Sequence, residues 1–186
     1  MDLIVTAPMG ETRGQARLGA RSFDCALGRA GLVADKREGD GGTPIGRFPF
    51  RRLLFRADRV ARIETHLPAR HIAPDDGWCD DPASPDYNKP VRLPHPARHE
   101  EMWLESRLYD LVVVIGHNDD PVVPGAGSAV FLHVARDDWA PTAGCIAFRR
   151  EDLLAILAQV RTSDAIVIGK SEVGSQNSKR ARYSAP

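Results

Sequence analysis

Two short apolar runs constrain the fold of this chain more than any other feature of its sequence. Residues 109–115 read Tyr-Asp-Leu-Val-Val-Val-Ile and stop at a glycine, and residues 128–134 form a second run that contains His133. Apolar stretches of this length without alternation are typical of strands that are buried on both faces. They predict two central strands, each of which brings a histidine, His117 or His133, to the point where the strand ends. We expect the two histidines to converge at one rim of the sheet.

The remaining segments add strands, one clear helix and one segment without a readable pattern. Residues 56–106 are rich in proline and contain four histidines, which predicts a long irregular insertion with short strands. In that insertion Trp78 and Trp103 are candidates for a ligand wall or for anchors that fix the loop to the core. The other predicted elements are an edge strand at 3–6, a hairpin over 17–27, a strand over 47–55, an amphipathic helix over 151–160 and a last strand over 164–169.

Length and charge limit the classes of function that this chain can serve. Its 186 residues fit one domain, which we place at residues 1–169, and the polar residues 170–186 predict a disordered tail. A formal net charge of zero gives no broad field for nucleic acid. No run approaches the roughly 20 apolar residues of a membrane helix, so we expect no stable membrane insertion. The first residues lack a basic segment followed by a long apolar one, so the chain as given shows no secretory signal.

Cys145 is the residue with the most specific chemical signal. It follows Thr142-Ala143-Gly144, and His133 lies twelve residues earlier. A thiolate is a strong nucleophile, and a neighbouring imidazole can remove the thiol proton, as His133 would here. Gly144 allows backbone N–H groups to approach a developing oxyanion, so the N–H of Cys145 with that of Gly144 or Ala143 is a candidate oxyanion hole. The spacing of the three cysteines predicts no zinc site, and no cofactor is expected.

Several other residues are candidates for supporting this chemistry. Thr142 is a candidate to orient His133 through its hydroxyl or carbonyl, which is the third-group role in a catalytic triad. His117 can line the acceptor side, compete with His133 as base, or simply cap its loop. Thr43 lies at the end of a glycine-rich loop, residues 34–42, that we expect at the border of the cleft. Trp139 lies on the loop that returns the chain to Cys145, and Thr43, His117 and Trp139 are candidates for contacts with the substrate.

Taken together, these motifs resemble the YkuD-type L,D-transpeptidase catalytic domain. The resemblance rests on the segment from His133 to Cys145, the core Thr142-Ala143-Gly144-Cys145-Ile146 and the upstream run from Gly42 to Phe48, and it extends over residues 3–168. Members often carry a histidine before the Gly-Cys pair and a polar residue two positions after the cysteine; alanines occupy both positions here, Ala143 and Ala147. Arg149, Arg150 or Arg136 can replace a missing substrate-binding cation, with Arg149 as the first choice.

The resemblance implies a fold, a reaction and a compartment. The expected fold is mainly β, a mixed β-sheet sandwich with one or two short helices and the long irregular insertion. The expected activity is a cysteine acyltransferase that joins peptidoglycan stem peptides through a thioester on Cys145, with carbapenem-type β-lactams as covalent inhibitors. The family chemistry implies the periplasm or cell envelope. Three alternatives stay open: an L,D-carboxypeptidase, a non-catalytic peptidoglycan-binding module, and a metal hydrolase that uses His117, His133 and Cys145.

Overall fold

The computed structural model describes residues 1–171, and the greater part of the predicted tail, 172–186, lies outside the described residues. Fourteen strands, one α-helix and one short 3-10 helix at Arg107–Tyr109 form the described chain. Their bounds are β1 (Leu3–Ala7), β2 (Arg13–Leu18), β3 (Arg21–Ala26), β4 (Leu32–Val33), β5 (Thr43–Pro44), β6 (Gly46–Phe55), β7 (Ala69–His71), β8 (Asp76–Cys79), β9 (Pro90–Arg92), β10 (His99–Glu101), β11 (Leu111–Ile115), β12 (Phe131–Val134), β13 (Ile146–Phe148), α1 (Arg150–Leu157) and β14 (Ala165–Lys170).

Nine of these strands form one sheet that closes on itself. Its order is β11-β12-β13-β3-β2-β1-β14-β6-β7, and β6 also pairs with β11. Closure is possible because β6 is ten residues long: its first half pairs with β14 and its second half pairs with β11. The sheet is mixed, since β12–β13 and β1–β14 are parallel whereas most other neighbours are antiparallel. The expected mainly β, mixed-sheet fold is confirmed, with opposed arms of one closed sheet facing each other as in a sandwich.

The closed sheet encloses the main apolar core, and a second apolar cluster covers its outside. Leu132 and Ile146 point inward with Leu153 and Ile156 of α1, which packs against the same interior. Phe131 and neighbouring outward residues belong to a separate cluster, together with parts of the insertion. This division follows from the two-residue periodicity of strands, which sends successive side chains to opposite faces. Cys145 belongs to the outer cluster, so the candidate nucleophile lies between the sheet and the insertion.

Two element bounds differ from those predicted by the sequence. The second central strand covers only Phe131–Val134, because Ala129 has a φ of 50° and breaks the extended run that begins at Ser128. The helix begins at Arg150 and ends at Leu157 instead of Val160, although Val160 is buried as its apolar spacing predicts. The other predicted strands, including the fully buried β11, are present within a few residues of their expected bounds.

The predicted insertion contains short strands, as expected. β7 extends the main sheet beside β6, whereas β10, β8 and β9 form a separate three-stranded sheet. Trp78 is buried against Phe131 and its indole N–H donates to Asn88 Oδ1 at 3.0 Å, and Trp103 stacks under the guanidinium of Arg56. Trp103 also packs against the outer apolar cluster that contains Leu54 and Phe131, so both tryptophans anchor the insertion to the sheet. Within residues 1–171, no helix combines the length and apolar character needed to cross a membrane.

Candidate active site

His133 lies on β12, Cys145 lies directly before the neighbouring parallel strand β13, and both side chains face the same pocket. Register pairs place Leu132 beside Ile146 and His133 beside Ala147, which puts Cys145 level with Phe131 on the next strand. Strands are about 4.8 Å apart and two residues advance the chain by about 6.6 Å, so the Cα atoms of His133 and Cys145 are separated by about 8 Å. Both side chains line a cavity of about 680 Å³. The sheet thus brings the predicted nucleophile and base to one site.

The hydrogen bond of His133 fixes which of its nitrogens can act as a base. Its Nδ1 lies 2.9 Å from the carbonyl oxygen of Val134, which can only accept, so Nδ1 carries the proton of the neutral ring. Nε2 is then the unprotonated nitrogen and can receive a proton. Burial lowers the pKa of His133 to about 4, which keeps the ring neutral near pH 7. Tyr109 packs edge-on against the ring at 5.5 Å and holds its plane.

The thiol of Cys145 is buried and held by two backbone groups. Its Sγ donates to the Ala129 carbonyl oxygen at 3.1 Å and accepts the Phe131 N–H at 3.3 Å. Burial raises the pKa of Cys145 to about 12, and the nearby charge of Glu100 acts in the same direction. The resting pair is therefore a neutral thiol and a neutral imidazole, not the ion pair that some cysteine enzymes maintain. The Phe131 N–H is already placed to stabilise a thiolate once the proton leaves.

The turn before Cys145 has a conformation that requires glycine. Gly144 has a φ of 142°, and a Cβ at this position would lie 2.9 Å from the Gly42 carbonyl oxygen. The N–H of Gly144 donates to Thr142 Oγ1 at 3.1 Å, and the Thr142 hydroxyl donates to the Cys145 carbonyl at 2.7 Å. The Gly144 N–H is therefore occupied, which leaves the N–H groups of Cys145 and Ala143 as the candidates for an oxyanion hole.

The hydroxyl groups of Thr142 and Thr43 stabilise this turn and do not have the roles that the sequence predicted for them. The predicted role of Thr142 as the group that orients His133 is wrong, because its hydroxyl is bound within the turn and the Val134 carbonyl orients the imidazole. Thr43 is fully buried; its hydroxyl accepts the Gly28 N–H and donates to the Gly144 carbonyl at 3.0 Å. Because this hydroxyl is buried and already has a donor and an acceptor as partners, it stabilises the turn and is not available to a substrate.

Comparison with known families identifies the class of protein to which this site belongs. The model of the YkuD family, described as the L,D-transpeptidase catalytic domain, matches residues 12–168. The chain belongs to the YkuD family. Among solved structures, it is similar to L,D-transpeptidase 1 of Mycobacterium tuberculosis, with 16% identity and a TM-score of 0.39. That alignment covers 91% of this chain but only 62% of the other chain, and no curated protein matches significantly.

In this YkuD domain the two predicted histidines do not share one rim. β11 and β12 are antiparallel, with Val112 opposite His133, so the carboxyl ends of the two strands lie at opposite edges of the pair. His117 follows the end of β11 and lines a different cavity, of about 440 Å³. Its Nε2 lies 3.1 Å from the Ala126 carbonyl, and burial lowers its pKa. The expected convergence is therefore wrong, and the contacts of His117 are those of a loop-capping residue.

Arg149 and Trp139, two further predicted substrate contacts, lie outside the lining of the Cys145 pocket. Arg149 is exposed and lies over the Trp139 ring at 5.1 Å, and Arg13 stacks on the same ring at 4.2 Å. Arg149 lines a separate groove with Arg150, whose guanidinium pairs with the buried Asp110. Arg136 is the one of the three candidate arginines that lines both that groove and the Cys145 pocket. A direct substrate contact of Arg149 or Trp139 stays a prediction without support from this geometry.

Sequence reasoning missed most of the charged lining of the pocket. The loop over residues 34–42 contributes Lys36 and Glu38, which confirms that this glycine-rich loop borders the cleft, and the insertion contributes Glu100. Glu100 accepts a hydrogen bond from the Tyr109 hydroxyl, and burial raises the pKa of its carboxyl group. The sequence gives little indication of Lys36, Glu38 and Glu100 as pocket residues, because each lies in a segment without a periodic apolar pattern. Only the high charge density of residues 35–40 pointed to the first of these segments.

The described residues hold no group of three His, Cys, Asp or Glu side chains suited to a metal ion. This geometry gives no support to the metal-hydrolase alternative, which needs His117, His133 and Cys145 to converge. His133 and Cys145 line one cavity, whereas His117 lines another. All three cysteines are free and buried, so none is committed to a disulfide within residues 1–171.

Proposed function

We propose that this YkuD domain is a cysteine acyltransferase that performs L,D-transpeptidation on peptidoglycan stem peptides. The observation that carries the proposal is that Cys145, directly before β13, and His133, on the adjacent strand β12, face one pocket in a chain that belongs to the L,D-transpeptidase catalytic-domain family. The pocket volume of about 680 Å³ is within the range of sites that enclose a small ligand or peptide segment.

The contacts of the two residues suggest how the first step proceeds. The Cys145 thiol leaves its hydrogen bond with the Ala129 carbonyl and transfers its proton to His133 Nε2. The sulfur attacks the carbonyl carbon of the L-centre residue of the donor stem, and the tetrahedral oxyanion is bound by the N–H groups of Cys145 and Ala143. The imidazolium then gives its proton to the departing amine of the terminal D-amino acid. The product of this step is a thioester on Cys145.

The second step regenerates the thiol. An amine of a second stem attacks the thioester carbon while His133 Nε2 accepts the proton of that amine. Collapse of the tetrahedral intermediate releases the sulfur, which recovers a proton from His133. Water in place of the amine would give the L,D-carboxypeptidase outcome with the same residues. Product analysis with and without an amine acceptor separates transfer from hydrolysis.

One observation favours the alternative of a binding module that does not turn over. The thiol rests as a neutral donor to the Ala129 carbonyl, and burial raises its pKa to about 12. In a module without turnover the pocket would still bind a stem peptide, but Cys145 would form no adduct with a carbapenem. In an enzyme the thiol transfers its proton to His133 as the sulfur attacks the bound carbapenem, and the covalent adduct accumulates. Intact-protein mass spectrometry after carbapenem treatment separates the two.

The proposal is tested by Cys145→Ala and by a matched variant of another buried cysteine, Cys79→Ala. Both variants and the unmodified chain are incubated with a tetrapeptide muropeptide and, separately, with a carbapenem. We expect the acyl adduct and the cross-linked product from the unmodified chain and from Cys79→Ala, and neither from Cys145→Ala, with thermal unfolding of Cys145→Ala shifted by only a few degrees. Turnover retained by Cys145→Ala would refute the assignment.

A further inference from the structure

Lys36 occupies a position in the active site that neither the sequence motifs nor the family assignment explains. It lies on the loop between β4 and β5 and lines the Cys145 pocket, and only 9% of its side chain is exposed. Its Nζ donates to the Asp40 carboxylate and to the Arg37 carbonyl. A lysine this buried is unusual, because the ammonium group loses hydration that it recovers only from well-placed partners.

Two glycines bring the Lys36 side chain up to the nucleophile turn. A Cβ placed on Gly127 would lie 2.9 Å from Lys36 Cγ, so the methylene stem packs where any larger residue would exclude it. A Cβ placed on Gly144 would lie 3.7 Å from Lys36 Nζ, so the ammonium group lies directly beside the residue that precedes Cys145. An ammonium has three N–H donors, and the two bonds above leave a third that is available to the pocket.

Several hydrogen bonds hold the loop that carries Lys36, so the position of the Lys36 side chain is fixed by the fold. The Glu38 N–H donates to the Gly125 carbonyl at 2.8 Å, and the Glu38 carboxylate accepts the hydroxyl groups of Tyr87 and Ser128. Asp40 adds to the fastening, since it also accepts the N–H groups of Arg37 and Gly42 at 2.8 Å. The entropy cost of positioning a lysine near the reacting atoms is therefore paid on folding and not at the moment of reaction.

The proposed reaction would be favoured by a cation at this position. Attack by Cys145 places negative charge on sulfur and then on the carbonyl oxygen, in a buried pocket where a single charge is costly. The charged and titratable groups that face this pocket are Lys36, Arg29, Arg136, Glu38, Asp80, His99, Glu100, Tyr109 and His133. Of the groups that act on the thiol, Glu100 opposes its ionisation and Lys36 favours it.

We propose that Lys36 is a further catalytic residue, whose ammonium stabilises the negative charge that forms on Cys145 and on the attacked carbonyl. The effect on the thiol is a property of the protein alone, whereas the effect on the carbonyl rests on the proposed acyl-transfer function. Both effects depend on charge and position: an arginine at position 36 preserves them in part, and a neutral side chain of similar length removes them.

The experiment compares Lys36→Met with Lys36→Arg, and uses Lys89→Met as the control. Lys89 is an exposed lysine that binds the Pro85 carbonyl outside this pocket. The alkylation rate of Cys145 by iodoacetamide is followed between about pH 7 and 9 by peptide mass spectrometry, which separates Cys145 from Cys25 and Cys79. We expect Lys36→Met to slow alkylation about tenfold at every pH, which corresponds to a rise of about one unit in the thiol pKa. Lys36→Arg and Lys89→Met should stay within about threefold of the unmodified rate.

The sign of the change separates an electrostatic role from a merely structural one. If Lys36 only fastened its loop, Lys36→Met would open the pocket, and alkylation would become faster or stay unchanged; either result overturns the proposal. Carbapenem acylation is measured on the same variants, and we expect a further loss with Lys36→Met that exceeds the loss in alkylation. If alkylation slows as expected but the unmodified chain never processes a stem peptide, the role of Lys36 at the thiol stands and the proposed function fails.

Discussion

Two walls of the pocket are built on different physical principles. One, the strand wall, is formed by β12, β13 and the residues directly before them; it carries His133 and Cys145, and the residues of both strands are buried. The other wall is the insertion, residues 56–106, which contributes Asp80, His99 and Glu100. The strand wall is fixed by backbone pairing and by the core behind it, whereas the insertion is fixed by polar and aromatic anchors.

Because of this difference, we expect the two walls to contribute differently to catalysis. A nucleophile and a base must be held within a fraction of an ångström, and a sheet supported on both faces provides that precision. Charges that tune ionisation and select a substrate act over longer distances, so they tolerate attachment to a less regular segment. Substitutions in the strand wall should therefore affect the chemical step most. Substitutions in the insertion should affect stability or the electrostatics of the site.

The largest effect should come from removing the base in the strand wall. We expect His133→Gln to lower the rate of carbapenem acylation by about 10²- to 10⁴-fold, the usual contribution of a general base, with little change in inhibitor binding. His99→Gln is the matched control from the insertion, because His99 lines the same pocket and its Nδ1 also lies 2.8 Å from a backbone carbonyl, that of Ala97. Stopped-flow acylation measures both variants. Equal losses would show that the division between the two walls does not hold.

A smaller effect should appear in the pH dependence of stability. The folded pKa of His133, about 4, lies below the value of about 6.5 expected in the unfolded chain, so protonation favours unfolding. The stabilisation is complete above pH 6.5 and is lost as the pH falls from 6.5 to 4, where the unfolded chain binds the extra proton. The loss should reach about 3 kcal/mol at the acid end. Urea unfolding across this range should show that the free energy of unfolding of His133→Gln depends less steeply on pH than that of the unmodified chain; equal slopes for the two would contradict the low pKa of His133.

The sequence predicted the strand wall far better than the insertion. Uninterrupted apolar runs reveal buried strands, and the Gly144-Cys145 pair with His133 predicts a nucleophile and a base that the structure places at one pocket. The sequence could not reveal strand direction, so His117 was expected at the wrong edge of the sheet. Side-chain contacts such as those of Thr43, Thr142 and Lys36 depend on which loops meet in space. No local pattern encodes those contacts, because contacting residues such as Thr43 and Cys145 are 102 positions apart along the chain.

The side chain of Asn88 makes four hydrogen bonds, three of which connect the insertion to the loops beside the strand wall. It is buried, and its Oδ1 accepts the Trp78 indole N–H and the Ala129 N–H, while its Nδ2 donates to the carbonyls of His117 and Asn118. Ala129 in turn provides the carbonyl that accepts the Cys145 thiol. Asn88 therefore connects the insertion to the resting position of the nucleophile.

We expect Asn88→Ala to lower the free energy of unfolding by about 2 kcal/mol, because buried polar partners lose their hydrogen bonds. Asn88 has a φ of 56°, so Asn88→Gly, which removes the side chain without that backbone strain, is the better measure of the hydrogen bonds alone. Asn118→Gly is the matched control, since Asn118 has a similar φ of 49° and also binds backbone groups but is only half-buried. Urea unfolding gives the free energy of unfolding of all three variants. A loss for Asn88→Gly no larger than that for Asn118→Gly would mean that apolar packing alone, including that of Trp78, holds the insertion against the sheet. The two walls would then differ in sequence pattern and not in the forces that fix them.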